Sequence, residues 1–162
     1  MDSYREIENL YSDYAYFIDT GNLDAVAQLF THGVFVFPPG DIDNPNNPRS
    51  HGRQGTRKHL SAIRLYDDST PKTNHVTTNI WIEVDEDAGT ARGRAYLTCM
   101  QQALEENFPL QPIATVIYED TFKKIDGKWW FATRRVTQPR HQDYSRHLTS
   151  EFNVQHSLPG SS

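Results

Sequence analysis

The stretch Lys123-Lys124-Ile125-Asp126-Gly127-Lys128-Trp129-Trp130-Phe131 decides the fold class. Asp-Gly between two runs of strand-forming residues is a strong hairpin signal, because both turn positions take positive φ and these residues tolerate it. The flanking runs, residues 112–123 and 128–138, are rich in Thr, Val, Ile, Tyr and Trp and read as strands. Working back, residues 90–103 and 74–84 share that texture. Turn signals separate them: Asp85-Glu86-Asp87-Ala88-Gly89 and Glu105-Glu106-Asn107-Phe108-Pro109. Four long strands therefore fill the second half of the chain.

The first half has another period. Ile7, Leu10, Tyr11, Tyr14, Phe17 and Ile18 recur at three and four, which predicts a helix. Gly21 stops it, and Asn22 caps a second helix with Leu23, Val26, Ala27, Leu29 and Phe30 on its apolar face. Val34-Phe35-Val36-Phe37 is a short strand. Residues 38–52 hold four Pro, two Gly and three Asn and form a long loop, a candidate lid. A third helix is expected over 54–66. Helices first and antiparallel strands after imply an α+β domain, with the helices on one face of the sheet. This domain spans residues 1–140, and 141–162 form a polar C-terminal tail.

Composition narrows the function. The chain has 162 residues, 36% apolar and 23% charged, which fits one globular domain. The net charge is −5 and the basic residues are scattered, so the electrostatic footprint of a nucleic-acid binder is missing. No apolar run reaches the roughly 20 residues a membrane helix needs, and Met1 is followed by a polar run, so the expectation is a cytoplasmic protein. Cys99 stands alone, which excludes an intrachain disulfide and a cysteine-rich metal site.

Tyr14-x4-Asp19-x-Gly21, Asn74-His75 at the opening of the first long strand, and the hairpin from Lys123 to Trp129 together resemble the SnoaL-like, nuclear-transport-factor-two-like superfamily. The resemblance covers roughly residues 5–138 and is greatest to its scytalone dehydratase and bile acid 7α-dehydratase branch. It implies a cone-shaped cystatin-like fold, three helices packed on a strongly curved, mostly antiparallel sheet. In bile acid dehydratases a Tyr, an Asp and a His are catalytic, and these fall on Tyr14, Asp19 and His75. The resemblance implies a dehydratase, or a related isomerase, acting without cofactor or metal on a small cyclic or aromatic hydroxylated ketone, in a homodimer or homotrimer. The sequence also departs from that branch. Scytalone dehydratase has a second His on the next strand, and residues 93–98 contain none.

Dehydration beside a carbonyl needs a base for the α-proton, a donor for the enolate oxygen and an acid for the leaving hydroxyl. His75 can serve as base and acid near neutral pH, Asp19 can orient it, and Tyr14 can polarise the carbonyl. Taken alone, Asp19 is a turn residue and Tyr14 a core tyrosine. Strand alternation puts His75 with Thr77, Asn79, Trp81 and Glu83, opposite the apolar Val76, Ile80 and Ile82; that favours a solvent-facing histidine unless a bulge changes the phase. Only one of Arg134 and Arg135 can enter the interior, and parity with Trp129 and Phe131 favours Arg135. Arg135, Thr98, Tyr118 and Phe35 complete the candidate substrate-binding set. His32, His51, His59, His141, His147 and His156 read as surface residues, and Cys99 as a small buried hydrophobe.

Two rivals remain. One is a non-catalytic binding or assembly module, like the small subunits of ring-hydroxylating dioxygenases. The other is an epoxide hydrolase, whose Asp-Arg-Asp set would need carboxylates near Thr98, Tyr118 and Asp120, where only Asp120 is acidic.

Overall fold

The computed structural model describes residues 2–36 and 49–149; the expectations for Phe37, for most of the loop from 38 and for the tail from residue 150, His156 included, lie outside them. Helix α1 (Ser3–Asp19) begins where the Asp2 side chain accepts a hydrogen bond from the Arg5 N–H at 2.8 Å. It ends at Gly21, whose φ is +74°. A Cβ at Gly21 would lie 1.9 Å from the Ser69 carbonyl oxygen, so the reversal needs glycine twice over. Asn22 caps α2 (Leu23–Leu29) by accepting from the Ala25 N–H at 3.1 Å, as its place in the sequence predicts.

Strands β1 (Val34–Val36) and β2 (Arg49–His51) and helix α3 (Gly52–Leu60) follow, then the long strands β3 (Thr73–Asp85), β4 (Thr90–Ala103), β5 (Phe108–Ile125) and β6 (Lys128–His141). β2 was not expected. The third helix stops at Leu60 rather than running to residue 66: the N–H groups of Ser61, Ala62 and Ile63 close a last tight turn onto Lys58, His59 and Leu60, and the chain then bonds elsewhere. The Arg64 N–H donates to the His147 carbonyl at 2.8 Å, and Ile63 bridges to Leu148. The six strands form one curved, unclosed sheet in the order β2-β1-β6-β5-β4-β3. β1 runs parallel to β6 and every other pairing is antiparallel. Asp126 and Gly127 both have positive φ, and Ile125 pairs with Lys128, which closes the tight hairpin.

Bulges bend the sheet and set which side chains point inward. In β3 the pairing with β4 slips between Thr78 and Trp81, and Asn79 sits at φ +53°. Before the slip, Thr73, His75 and Thr77 face the interior; after it, Ile80, Ile82 and Val84 do. In β6 the pairing with β5 slips at Ala132, between Phe131 opposite Phe122 and Thr133 opposite Thr121. Trp129 and Phe131 face inward before that slip and Arg134 after it.

The helices fill the concave side. Ile7, Tyr11, Tyr14 and Ile18 of α1 pack on Phe122 and Phe131 of the sheet and on Phe30 after α2. Gly93 of β4 leaves room for this: a Cβ there would lie 2.5 Å from the Tyr11 hydroxyl. A second, smaller cluster joins Cys99, Ala103, Phe108, Ile113 and Ala114 to Tyr66 and to Tyr144 beyond β6.

Candidate active site

Asp19 is the last residue of α1, and β3 begins opposite it. A carboxylate at the negative end of a helix dipole is unfavourable by about 0.3–1 kcal/mol. Donors on β3 offset this. The Thr73 hydroxyl donates to Oδ1 at 2.8 Å, and the His75 backbone N–H donates to Oδ2 at 2.7 Å. The His75 ring nitrogen Nδ1 lies 2.6 Å from Oδ1. With Nδ1–H committed to the carboxylate, Nε2 is left as the nitrogen that can exchange a proton with a ligand. The side chains of His75 and Asp19 are only 6% and 17% exposed. The solvent-facing expectation for His75 is therefore corrected, and the Asn79 bulge is the reason.

Burial works against a charged imidazole. The sulfur of Cys99, paired across the strands with His75, and the carboxylate of Asp19 outweigh it and push the His75 pKa up to about 10. Tyr14 stands beside this pair, its ring centroid 6.4 Å from that of His75 at 79°. Tyr118 packs edge-on against Tyr14, with ring centroids 6.0 Å apart. Burial raises both phenol pKa values, so both remain hydrogen-bond donors at any ordinary pH. Phe35 is buried against Tyr14 and Phe30, with centroids at 6.4 and 5.3 Å.

Beneath the phenols lies Arg134, with a fully buried side chain. Its guanidinium donates to both oxygens of Asp120, at 3.0 and 2.9 Å, and its carbon sits 3.8 Å from the Tyr118 ring centroid and 4.4 Å from that of Tyr14. Burial opposes its charge, but the Asp120 carboxylate holds it. One terminal nitrogen, Nη1, has no partner. Parity favours Arg135 for this place. The bulge at Ala132 reverses the parity, and Arg135 instead pairs with Glu119 at the rim, 34% exposed. Thr98 is also corrected. β4 turns Leu97 and Cys99 inward, and Thr98 pairs with Val76 and Thr115 on the outer face.

The structure thus brings together Tyr14, Asp19, His75, Tyr118 and Phe35, and leaves Thr98 and Arg135 outside. It adds Arg134 and Cys99. His147 is not a surface residue: its Nδ1 is sealed from solvent and has no partner. Burial, with the charge of His75 close by, holds its pKa down at about 3. Its signal was lost because it lies beyond the last strand, in sequence with no periodicity. Among the described residues, no three His, Cys, Asp or Glu side chains gather as a metal-binding set, and no helix is long and apolar enough to cross a membrane.

A curved sheet with helices packed on one side is the cystatin-like fold that similar solved structures carry. The chain belongs to the SnoaL-like domain family, whose model matches residues 1–135. Solved structures share the fold. An NTF2-like protein with a cystatin-like fold from Novosphingobium aromaticivorans superposes with a TM-score of 0.64 at 14% identity, over 82% of this chain and 79% of that one. A scytalone dehydratase candidate from the same species gives 0.62 at 24% identity, over 86% and 87%. A hexachlorocyclohexane dehydrochlorinase, LinA-type3 of Novosphingobium barchaimii, gives 0.61 at 19% identity, over 86% and 90%. No curated protein matches the chain in sequence.

Proposed function

We propose that this protein is a cofactor-independent lyase that removes water from a small hydroxylated cyclic ketone, or an isomerase that moves a double bond by the same enolate chemistry. The observation that carries this is the His75 ring, held 2.6 Å from Asp19 and buried beside the Tyr14 phenol. The ketone oxygen would accept from the neutral phenol of Tyr14, backed by Tyr118 and the Arg134 charge, so that the enolate is met by fixed donors in a dry interior. His75 would exchange a proton with the substrate, and Asp19 would fix its tautomer and stabilise the imidazolium. Phe35 and Tyr118 would flank the ring. Enolate chemistry of this kind needs no metal or nucleotide. Names of two similar structures, a dehydratase candidate and a dehydrochlorinase, support an elimination.

The test is enone formation, followed by ultraviolet absorbance, across a panel of β-hydroxy cyclic ketones. His75→Ala is expected to lose turnover while keeping the wild-type circular dichroism; full activity in that variant would remove the proposal.

A second reading, a non-catalytic binding or assembly module, has the outer sheet face in its favour. Val76, Trp81 and Tyr96 are large, apolar and exposed there, and a homodimer or homotrimer would cover them. Self-association is compatible with either reading; an inert site in a stable oligomer would favour this one.

A further inference from the structure

We propose that Cys99 is a nucleophile in the same interior, forming with His75 and Asp19 a thiol–imidazole–carboxylate set that captures cyclic enones as thioethers. The ligand class, a cyclic ketone, rests on the reading above. The capture itself needs no turnover, because an enone supplied from outside reacts as one formed in the site does.

Strand register brings the three groups together. Cys99 of β4 is the direct partner of His75 of β3. Side chains of directly opposed residues leave the sheet on the same face, with Cβ atoms about 4.5–5.5 Å apart. Both are turned inward: Cys99 is 3% exposed and the His75 side chain 6%. Asp19 occupies Nδ1 of the ring, so Nε2 is the nitrogen left to take a proton from a thiol. The thiol's contact with the Met100 carbonyl oxygen is long, 3.9 Å, and holds its proton weakly. Nucleophile, base and orienting carboxylate in this order are the arrangement that activates cysteine in transfer sites. Burial opposes a charge on His75, and the Cys99 sulfur and the Asp19 carboxylate outweigh it. A proton that crosses from sulfur to ring therefore leaves an opposite-charge pair rather than a lone buried charge.

A second observation points to a ligand here. Nη1 of Arg134 is buried with no partner. The guanidinium carbon lies 4.4 Å from the ring centroid of Tyr14, and the Tyr14 ring flanks that of His75. A buried donor with nothing to bond costs about 1–3 kcal/mol, which a ligand oxygen offsets. With its oxygen held by Tyr14 and Arg134, the ring of a ketone lies toward His75 and its strand partner.

The step balances. The S–H bond breaks and its proton passes to Nε2 of His75. The sulfur electron pair forms an S–C bond at the β-carbon of the enone, and the C=C π pair moves onto the carbonyl oxygen as an enolate. The imidazolium then returns the proton to the α-carbon. The product is a saturated ketone joined to Cys99 by a thioether, formed without oxidant or reductant.

The test treats the full folded chain with 2-cyclohexenone at neutral pH and follows it by intact mass and peptide mapping. Cys99 is the sole cysteine. One enone per chain on the Cys99 peptide is expected, formed about 10²–10⁴-fold faster than in the urea-unfolded chain. An inert core thiol reacts only on unfolding; labelling of the folded chain no faster than the unfolded one, or confined to other residues, would overturn the proposal. His75→Ala, folded by circular dichroism, should label more slowly by a similar factor. Saturated cyclohexanone should protect the wild type, a readout that needs no variant. Indifference to either would also overturn the proposal. Enone capture without dehydration of 3-hydroxycyclohexanone would sink the lyase and leave Cys99 as the nucleophile; dehydration without capture would do the reverse.

Discussion

One carboxylate holds one histidine by two of its groups: Asp19 accepts from the His75 backbone N–H at 2.7 Å through one oxygen and meets the His75 ring nitrogen at 2.6 Å through the other. The first contact fixes where β3 starts against the end of α1. The second fixes which ring nitrogen carries the proton. Structure and proton chemistry therefore hang on the same side chain.

Asp19→Asn separates the two. The amide keeps the size of the side chain but loses one acceptor and brings an NH2 group toward a donor. We expect activity to fall by about 10²–10⁴-fold and stability by about 1.5–3 kcal/mol, the range for hydrogen bonds to a charged group. Turnover and urea unfolding measure the two. Wild-type activity would show that the histidine needs no orienting.

Neighbouring arginines should behave in opposite ways. Arg134 is fully buried in a bidentate pair with Asp120, and removing one partner of such a pair leaves an uncompensated charge. Arg134→Ala should cost about 3–5 kcal/mol. Arg135 is part-exposed with Glu119, and Arg135→Ala should change stability by no more than about 1 kcal/mol. Equal effects in denaturant melts would contradict the β6 bulge.

Two of the surprises in the site, the inward facing of His75 and of Arg134, trace to bulges. The hairpin at Asp126-Gly127, the stop at Gly21 and the cap at Asn22 were legible because each rests on local backbone preference. The facing of His75 and of Arg134 was not, since one extra residue reverses every side chain that follows. A hint existed in β3: Asn79 interrupts a run of Thr and Ile, and asparagine tolerates the positive φ it adopts there. Ala132 gives no such hint. Nor could any local pattern show that Arg64 would bond to His147 instead of extending α3, because that contact joins distant parts of the chain.

Gly93→Ala should destabilise without touching the chemistry directly. Its Cβ would fall 2.5 Å from the Tyr11 hydroxyl and 3.0 Å from the Phe122 ring, both rigid groups in the core. Overpacking of this kind costs about 1–3 kcal/mol. A melting temperature equal to wild type would mean that α1 packs more loosely on β4 than described.

Stability should also depend on pH through His75. Its pKa rises from 6.5 to about 10 on folding, so the folded protein holds a proton that the unfolded chain releases. That contribution is complete below about pH 6.5 and is lost as pH climbs through 10. His147 has the opposite sign: its pKa falls to about 3, so its contribution is complete above pH 6.5 and is lost as pH falls toward 3. The stability gap between wild type and His75→Gln should therefore narrow from pH 7 to pH 10 in denaturant titrations. A constant gap would count against a charged His75.

The most direct measurement is the exchange of α-protons in deuterium oxide. With 3-hydroxycyclohexanone as the probe, wild-type protein should wash deuterium into the α-position, and His75→Ala, folded by circular dichroism, should exchange about 10²–10⁴-fold more slowly. Equal exchange in the two proteins would contradict a proton-handling site built on Asp19 and His75.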